Sequence, residues 1–182
     1  MADDLDATNE GGNESESVTL GRATSFEELY ERERRGMLSV ALALSGDVNA
    51  AEDLVQEAFL RAHRNWARVA ELDRPGAWVR RVLLNLATSR FRRVVVEARG
   101  LLRLQARVPR TEGVMAAESV EFWALVRSLP RRQAQVTALY YGEDLTTRDI
   151  ARVMEIAEGT VRAQLAAARH ALADRLAKEG EA

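Results

Sequence analysis

Three groups of side chains in this 182-residue sequence have the types and spacing to make specific contacts. The first is Thr160, Arg162 and Gln164, near the start of a stretch in which Val161, Leu165, Ala168 and Leu172 repeat at helical spacing. Those four bury one stripe, which leaves Thr160, Arg162, Ala163, Gln164 and Ala167 on the outward side. Guanidinium and amide groups each make paired hydrogen bonds to base edges, and small residues between them let a helix enter a major groove. The second group is Arg81, Asn85, Thr88 and Arg92, which share one ridge of an earlier helix. It lies within a strip from Arg74 to Arg93 that holds Arg74, Arg80, Arg81, Arg90, Arg92 and Arg93 and no acid. Such a strip is the electrostatic footprint that a phosphate backbone needs. The third group is acidic: Glu52, Asp53, Gln56 and Glu57, with Arg61 beside them, on one helix face. Arg61 and the lack of a second carboxylate cluster favour a protein-docking face over a metal site.

The elements that position these groups are all helical. Ser25 is the expected N-cap of a first helix that ends near Gly46, and Asp47 or Asn49 caps a second that runs to about Trp66. Ala51, Val55, Ala58, Ala62 and Trp66 form its buried stripe. A third helix begins at Pro75, a favoured first-turn residue, and continues to roughly Arg93. Val79, Val82, Leu83, Leu86 and Ala87 pack inward there, and Trp78 belongs to the core. Further on, a helix follows Glu118, Leu129-Pro130 breaks it, and another runs from Arg131 to about Tyr141. Thr146 with Asp149 three residues later starts a short helix that carries Ile150, Val153 and Met154. This helix, the connector at Ile156 and the helix from Glu158 read together as a helix-turn-helix.

Composition bounds the alternatives. Five per cent aromatics and three prolines favour helices over sheets, and no stretch is apolar for long enough to cross a membrane. No apolar signal segment opens the chain, so a cytoplasmic location is expected. The absence of cysteine excludes disulfides and thiolate-bound zinc. The net charge of −2 hides a division along the chain. Residues 1–24 carry six acids against Arg22 alone and read as a disordered acidic tail, whereas residues 25–95 carry twelve arginines against ten acids. The expected organisation is therefore a 1–24 tail, a helical domain over 25–95, a flexible linker over 96–119, a helix-turn-helix domain over 120–176 and a 177–182 tail. The fold class is all-α, with two small helical domains.

Enzyme chemistry finds no support in the sequence. The histidines, His63 and His170, lack the Glu-x-x-His spacing of di-iron bundles. No phosphate loop, nucleophile elbow or zinc-protease pair occurs. No cofactor and no small-molecule substrate are expected.

The conjunction of motifs resembles one family. Ala51-Glu52-Asp53-Leu54-Val55-Gln56-Glu57-Ala58-Phe59-Leu60-Arg61-Ala62 resembles the polymerase-binding helix of sigma factors, and Pro75 to Ala87 is similar to the promoter-melting helix that follows it. Leu129-Pro130-Arg131-Arg132-Gln133 and Glu158-Gly159-Thr160-Val161-Arg162 match the C-terminal domain. Order and spacing resemble the extracytoplasmic-function (ECF) group of the sigma-70 family over residues 25–95 and 120–176. The resemblance implies that Asp53, Gln56, Glu57 and Arg61 dock on the β′ clamp helices of core RNA polymerase, with a further contact to the β flap. It also implies that Arg74, Arg80, Arg81, Asn85, Thr88 and Arg92 serve the −10 element, where Asn85 and the 65–74 loop hold flipped, single-stranded bases. The −35 element would fall to Glu158, Thr160, Arg162 and Gln164, with Arg132, Arg148 and Arg169 as phosphate anchors. An anti-sigma protein is an implied partner besides promoter DNA, and location on the nucleoid would follow from polymerase binding. Ala157 replaces a capping Ser of the family, at a cost of ~0.5–2 kcal/mol to the following helix. Leu84, Ser89, Ala166 and Ala167 are further departures. The alternative is an autonomous helix-turn-helix regulator that reads duplex DNA with residues 120–176 and dimerises through the first domain.

Overall fold

The computed structural model describes residues 23, 25–100 and 117–179, with side chains over 23, 25–90 and 120–177. The expected acidic tail, the expected linker between residues 101 and 116, and the last three residues lie outside the described residues. The described chain is a succession of helices: α1 (Phe26–Ser45), α2 (Val48–Arg64), α3 (Trp66–Val69), α4 (Pro75–Gly100), α5 (Ala117–Arg127), α6 (Arg131–Glu143), α7 (Thr147–Met154) and α8 (Glu158–Glu179).

Local chemistry sets most of the boundaries. The Ser25 hydroxyl accepts a bond from the Glu28 amide at 3.1 Å, which satisfies one of the unpaired donors of α1. At its other end Gly46 takes φ +71°, a left-handed conformation that glycine adopts without penalty, and its amide bonds Leu42 O at 2.8 Å. Asp47, rather than Asn49, caps α2 through a 2.7 Å bond from Ala50 N. That helix stops at Arg64, two residues before the expected end, because Asn65 leaves helical geometry and Trp66 opens the short α3. Pro75 begins α4, which continues through Gly100 and so passes the expected boundary at residue 95. The Thr146 hydroxyl caps α7 by accepting from Asp149 N at 3.1 Å, and it donates to Asp149 Oδ2 at 2.8 Å. Here the acid holds the hydroxyl, where a full capping box would have it reach the backbone amide. Glu155, at φ 52°, ends α7 and turns the chain toward α8.

Packing joins what the sequence reads as two separate domains. Helices α1, α2 and α4 make one bundle, and α5 to α8 make a second in which α8 lies against α6 and α7. The two bundles also touch: α1 packs on α5 and α6, and α4 packs on α7. The buried apolar residues consequently form one continuous cluster, from Leu29 and Met37 through Val79 and Leu83 to Val136, Leu139 and Ile150. Met37, Leu83, Leu139 and Ile150 have no accessible surface, and each such side chain contributes ~1.5–3 kcal/mol by leaving water.

Candidate nucleic-acid and protein-docking surfaces

The basic strip divides on folding. Arg80, which the sequence places in the basic strip and the resemblance assigns to the −10 element, is only 1% exposed. Its Nη1 pairs with Glu33 Oε2 at 2.7 Å and donates to Gly76 O at 3.2 Å, while Nε donates to both Glu143 oxygens at 3.0 Å and Nη2 also bonds Glu143 Oε1. Burial of a guanidinium is tolerable only with partners of this kind. Arg81 is partly exposed, but its Nε donates to Val153 O at 2.9 Å, its Nη2 to Arg152 O at 3.1 Å, and its Nη1 pairs with Glu155. Arg74 lies 3.7 Å from Asp149 Oδ1. Thr88 donates to Leu84 O at 2.8 Å and accepts from Gln135 Nε2 at 3.2 Å. Asn85 is exposed and lines a cleft with Arg131, Arg132, Met154 and Glu155. The Arg92 side chain lies outside the described residues.

The helix-turn-helix surface keeps its expected residues outward. Thr160, Arg162, Arg148, Arg132 and Arg169 are exposed, and Gln164 and Glu158 are half-buried. Glu158 organises the entry of α8. Its Oε1 accepts from Thr147 Oγ1 at 2.7 Å and from Arg162 Nη2 at 2.7 Å, so one carboxylate ties α7 to α8 and orients a guanidinium. The Thr147 bond first, then Arg162, hold its pKa below the ordinary carboxylate value. Arg169 is not a free anchor: Nε donates to Tyr141 Oη at 2.9 Å, and its guanidinium lies 5.5 Å from the Tyr140 ring centroid. The Tyr141 bond is the main cause of a raised Arg169 pKa. Ala157 leaves the start of α8 without a side-chain cap, and Glu158 at the first position places its charge at the positive end of the helix.

The acidic face of α2 is exposed at Glu52, Asp53, Gln56 and Arg61. Glu57 Oε1 accepts from Arg61 Nε at 2.7 Å, and Asp53 lies 3.6 Å from Arg90 on α4. Leu60 sits on the same face with 42% of its surface exposed. Its helical spacing from Gln56 and Asp53 was the signal for an apolar anchor among the charges. Among the described residues no group of three or more metal-ligating side chains gathers. Sequence reasoning also missed Glu33, Glu143 and Gln135, whose partners lie 47 to 63 residues away or on another helix.

The family descriptions "Sigma-70 region 2" and "Sigma-70, region 4" match residues 29–95 and 119–172. The chain is 33% identical over 143 residues to a protein named Probable RNA polymerase sigma factor RfaY of Xanthomonas campestris pv. campestris, across 72% of this chain. It spans only 35% of that relative's length. It is 30% identical over 154 residues to ECF RNA polymerase sigma factor SigM of Mycobacterium tuberculosis, covering 84% of this chain and 78% of that protein. The sigma factor RpoE of Bartonella quintana, solved in complex with the anti-sigma factor NepR, superposes with a TM-score of 0.66 over 85% of this chain and 98% of that one. At 22% identity this last likeness concerns the fold.

Proposed function

The chain belongs to the ECF group of the sigma-70 family, and from that premise we propose that it is a dissociable subunit that brings core RNA polymerase to particular promoters and helps to open them. It carries no reaction of its own. The polymerase supplies the catalysis, and this subunit supplies docking, base capture and position. The observation that carries the reading is that one small bundle presents both the acidic face of α2 with Leu60 and, on α4, the ridge that bears Asn85.

The roles follow from chemistry. Asp53, Gln56, Glu57 and Arg61 would seat on the β′ clamp helices, where Leu60 supplies an apolar anchor between the polar contacts. Asn85 presents an amide that pairs with the edge of an unstacked base, and Arg74, Arg81 and Arg92 follow the backbone beside it. Arg80, buried and paired, supports α4 from below. In the second bundle Thr160, Arg162 and Gln164 would meet base edges of the −35 duplex, with Glu158 holding Arg162 in position. Arg132 and Arg148 would meet phosphates, and Arg169 would do so from its platform of tyrosines. The functional units proposed are 25–95 and 120–176, and an anti-sigma protein is the partner that would withhold the chain from polymerase. Action on the nucleoid follows from binding polymerase there.

Run-off transcription with core polymerase tests this. Wild type should yield promoter-specific transcripts, and Asn85→Ala and Gln56→Ala/Glu57→Ala should lose them, the first after polymerase binding and the second before it. Failure to bind core polymerase, with specific duplex binding by the chain alone, would overturn the proposal in favour of a stand-alone regulator.

A further inference from the structure

Arg127, the last residue of α5, is a half-buried guanidinium that meets no acid among the described residues. Arg32, Arg74, Arg80, Arg81 and Arg152, buried or half-buried as well, each meet a carboxylate. Arg175, also half-buried, donates to Leu125 O and to both the hydroxyl and the carbonyl of Ser128. For Arg127 the partner among the described residues is a single carbonyl, Ala43 O, 3.2 Å from Nη1. The other N–H donors of the guanidinium are left over, and a charge withdrawn from water is costly until it is paired. Burial lowers the Arg127 pKa from its ordinary value, and no carboxylate opposes that effect. Gly46 gives the side chain its place, since an added Cβ there would fall 2.8 Å from Arg127 Cζ.

Two adjoining cavities, of about 270 and 310 Å³, have Leu44, Ala87 and Arg127 in common. Leu129 and Ala134 extend the apolar wall of the first, and Ala50 and Leu54 that of the second. Arg131 stands in the first and Arg90 in the second, and no acid lines either one among the described residues. The first turn of α6, which no side chain caps, also lines the first cavity, so its positive pole adds to the field. Each volume is near the lower bound of the ~300–1,000 Å³ typical of small-molecule sites, which suits a slender ligand. Apolar walls around a cationic centre complement a molecule with an aliphatic body and one carboxylate. A carboxylate accepts two parallel bonds from a guanidinium, whereas a free phosphate would gain nothing from Leu44, Leu54 and Leu129.

We propose that this groove binds an aliphatic monocarboxylate, with its carboxylate paired to Arg127 and its chain laid along Leu44 and Ala87. The ligand supplies the counter-charge that the fold itself withholds from this one arginine.

Decanoate is the probe, titrated calorimetrically into the full-length chain. Wild type should bind one equivalent, and its Tm should rise with decanoate concentration. Arg127→Met keeps an apolar stem and removes the charge, and Ala87→Leu fills the groove where the cavities adjoin. Circular dichroism shows that each variant is folded. Each should weaken decanoate binding by about tenfold or more, and decanol, which lacks the charge, should bind wild type as weakly. No binding by wild type, unchanged affinity in either folded variant, or decanol binding as tightly as decanoate would each overturn the proposal. Binding that appears only after the six acids of residues 1–24 are changed to amides would also overturn it, and would give the groove to that segment.

Discussion

Replacing Arg80 by alanine strands Glu143 and leaves Glu33 with Arg32 as its cation, 2.9 Å from Glu33 Oε1. Glu33 has no accessible surface, the Glu143 side chain is 5% exposed, and the Arg80 guanidinium lies between them as the cation of Glu143 and one of the two cations of Glu33. Breaking a buried pair by removing one partner costs about 3–5 kcal/mol, because the remaining charge keeps its lost hydration and gains nothing in return. The exposed pair Arg61–Glu57, with side chains 49% and 40% accessible, sets the scale for an ion pair in water at ~0–1 kcal/mol. Urea unfolding followed by far-UV circular dichroism should therefore show Arg80→Ala losing several times more stability than Arg61→Ala. In the Arg80→Ala background a second change, Glu143→Ala, should restore part of the loss, since it removes the stranded charge. If Arg80→Ala unfolds no earlier than Arg61→Ala, the guanidinium is not buried between two acids and the argument fails. A loss of promoter opening at unchanged stability would return Arg80 to the DNA-contacting set.

Two further outcomes follow from the charged contacts. Glu158→Ala frees Arg162 and unties Thr147 from α8, so it should cut discrimination at one base of the duplex by ~1–3 kcal/mol while leaving non-specific affinity nearly unchanged. Binding titrations on matched and single-substituted duplexes measure this, and an equal loss on all sequences refutes it. Burial, and secondarily the charge of Glu33, raise the pKa of Glu143 against the opposing pull of Arg80. Arg80 of α4 and Glu33 of α1 are the charged groups that face it. Because the folded chain holds this proton more tightly than the unfolded one, acidification through the raised Glu143 pKa toward the ordinary carboxylate range should add to stability. The urea midpoint of the wild type should accordingly rise relative to that of Glu143→Gln as pH falls across that window, and a relative fall would contradict the sign.

Local residue types were enough to read the helices. Ser25, Gly46, Asp47, Pro75, Thr146 and the apolar spacings act within one turn of themselves, so caps and stripes are written where they operate. The same locality made the helix-turn-helix and the acidic face of α2 legible, because each is a single surface of one or two consecutive helices. It also explains the errors: α4 runs on to Gly100 because nothing at residue 95 stops it, and Asn65 ends α2 without a strong signal in its neighbours. Which arginine of the basic strip faces water was not written locally. Arg80 and Arg81 are adjacent and chemically identical, yet one is enclosed by Glu33 and Glu143 and the other caps a helix more than seventy residues away. Those partners meet only when the two bundles pack, and burial is a property of that packing. The sequence by itself thus determined the helices and the kinds of surface they carry. Tertiary structure alone decided which charges meet, because desolvation and pairing act across space, where separation along the chain has no bearing.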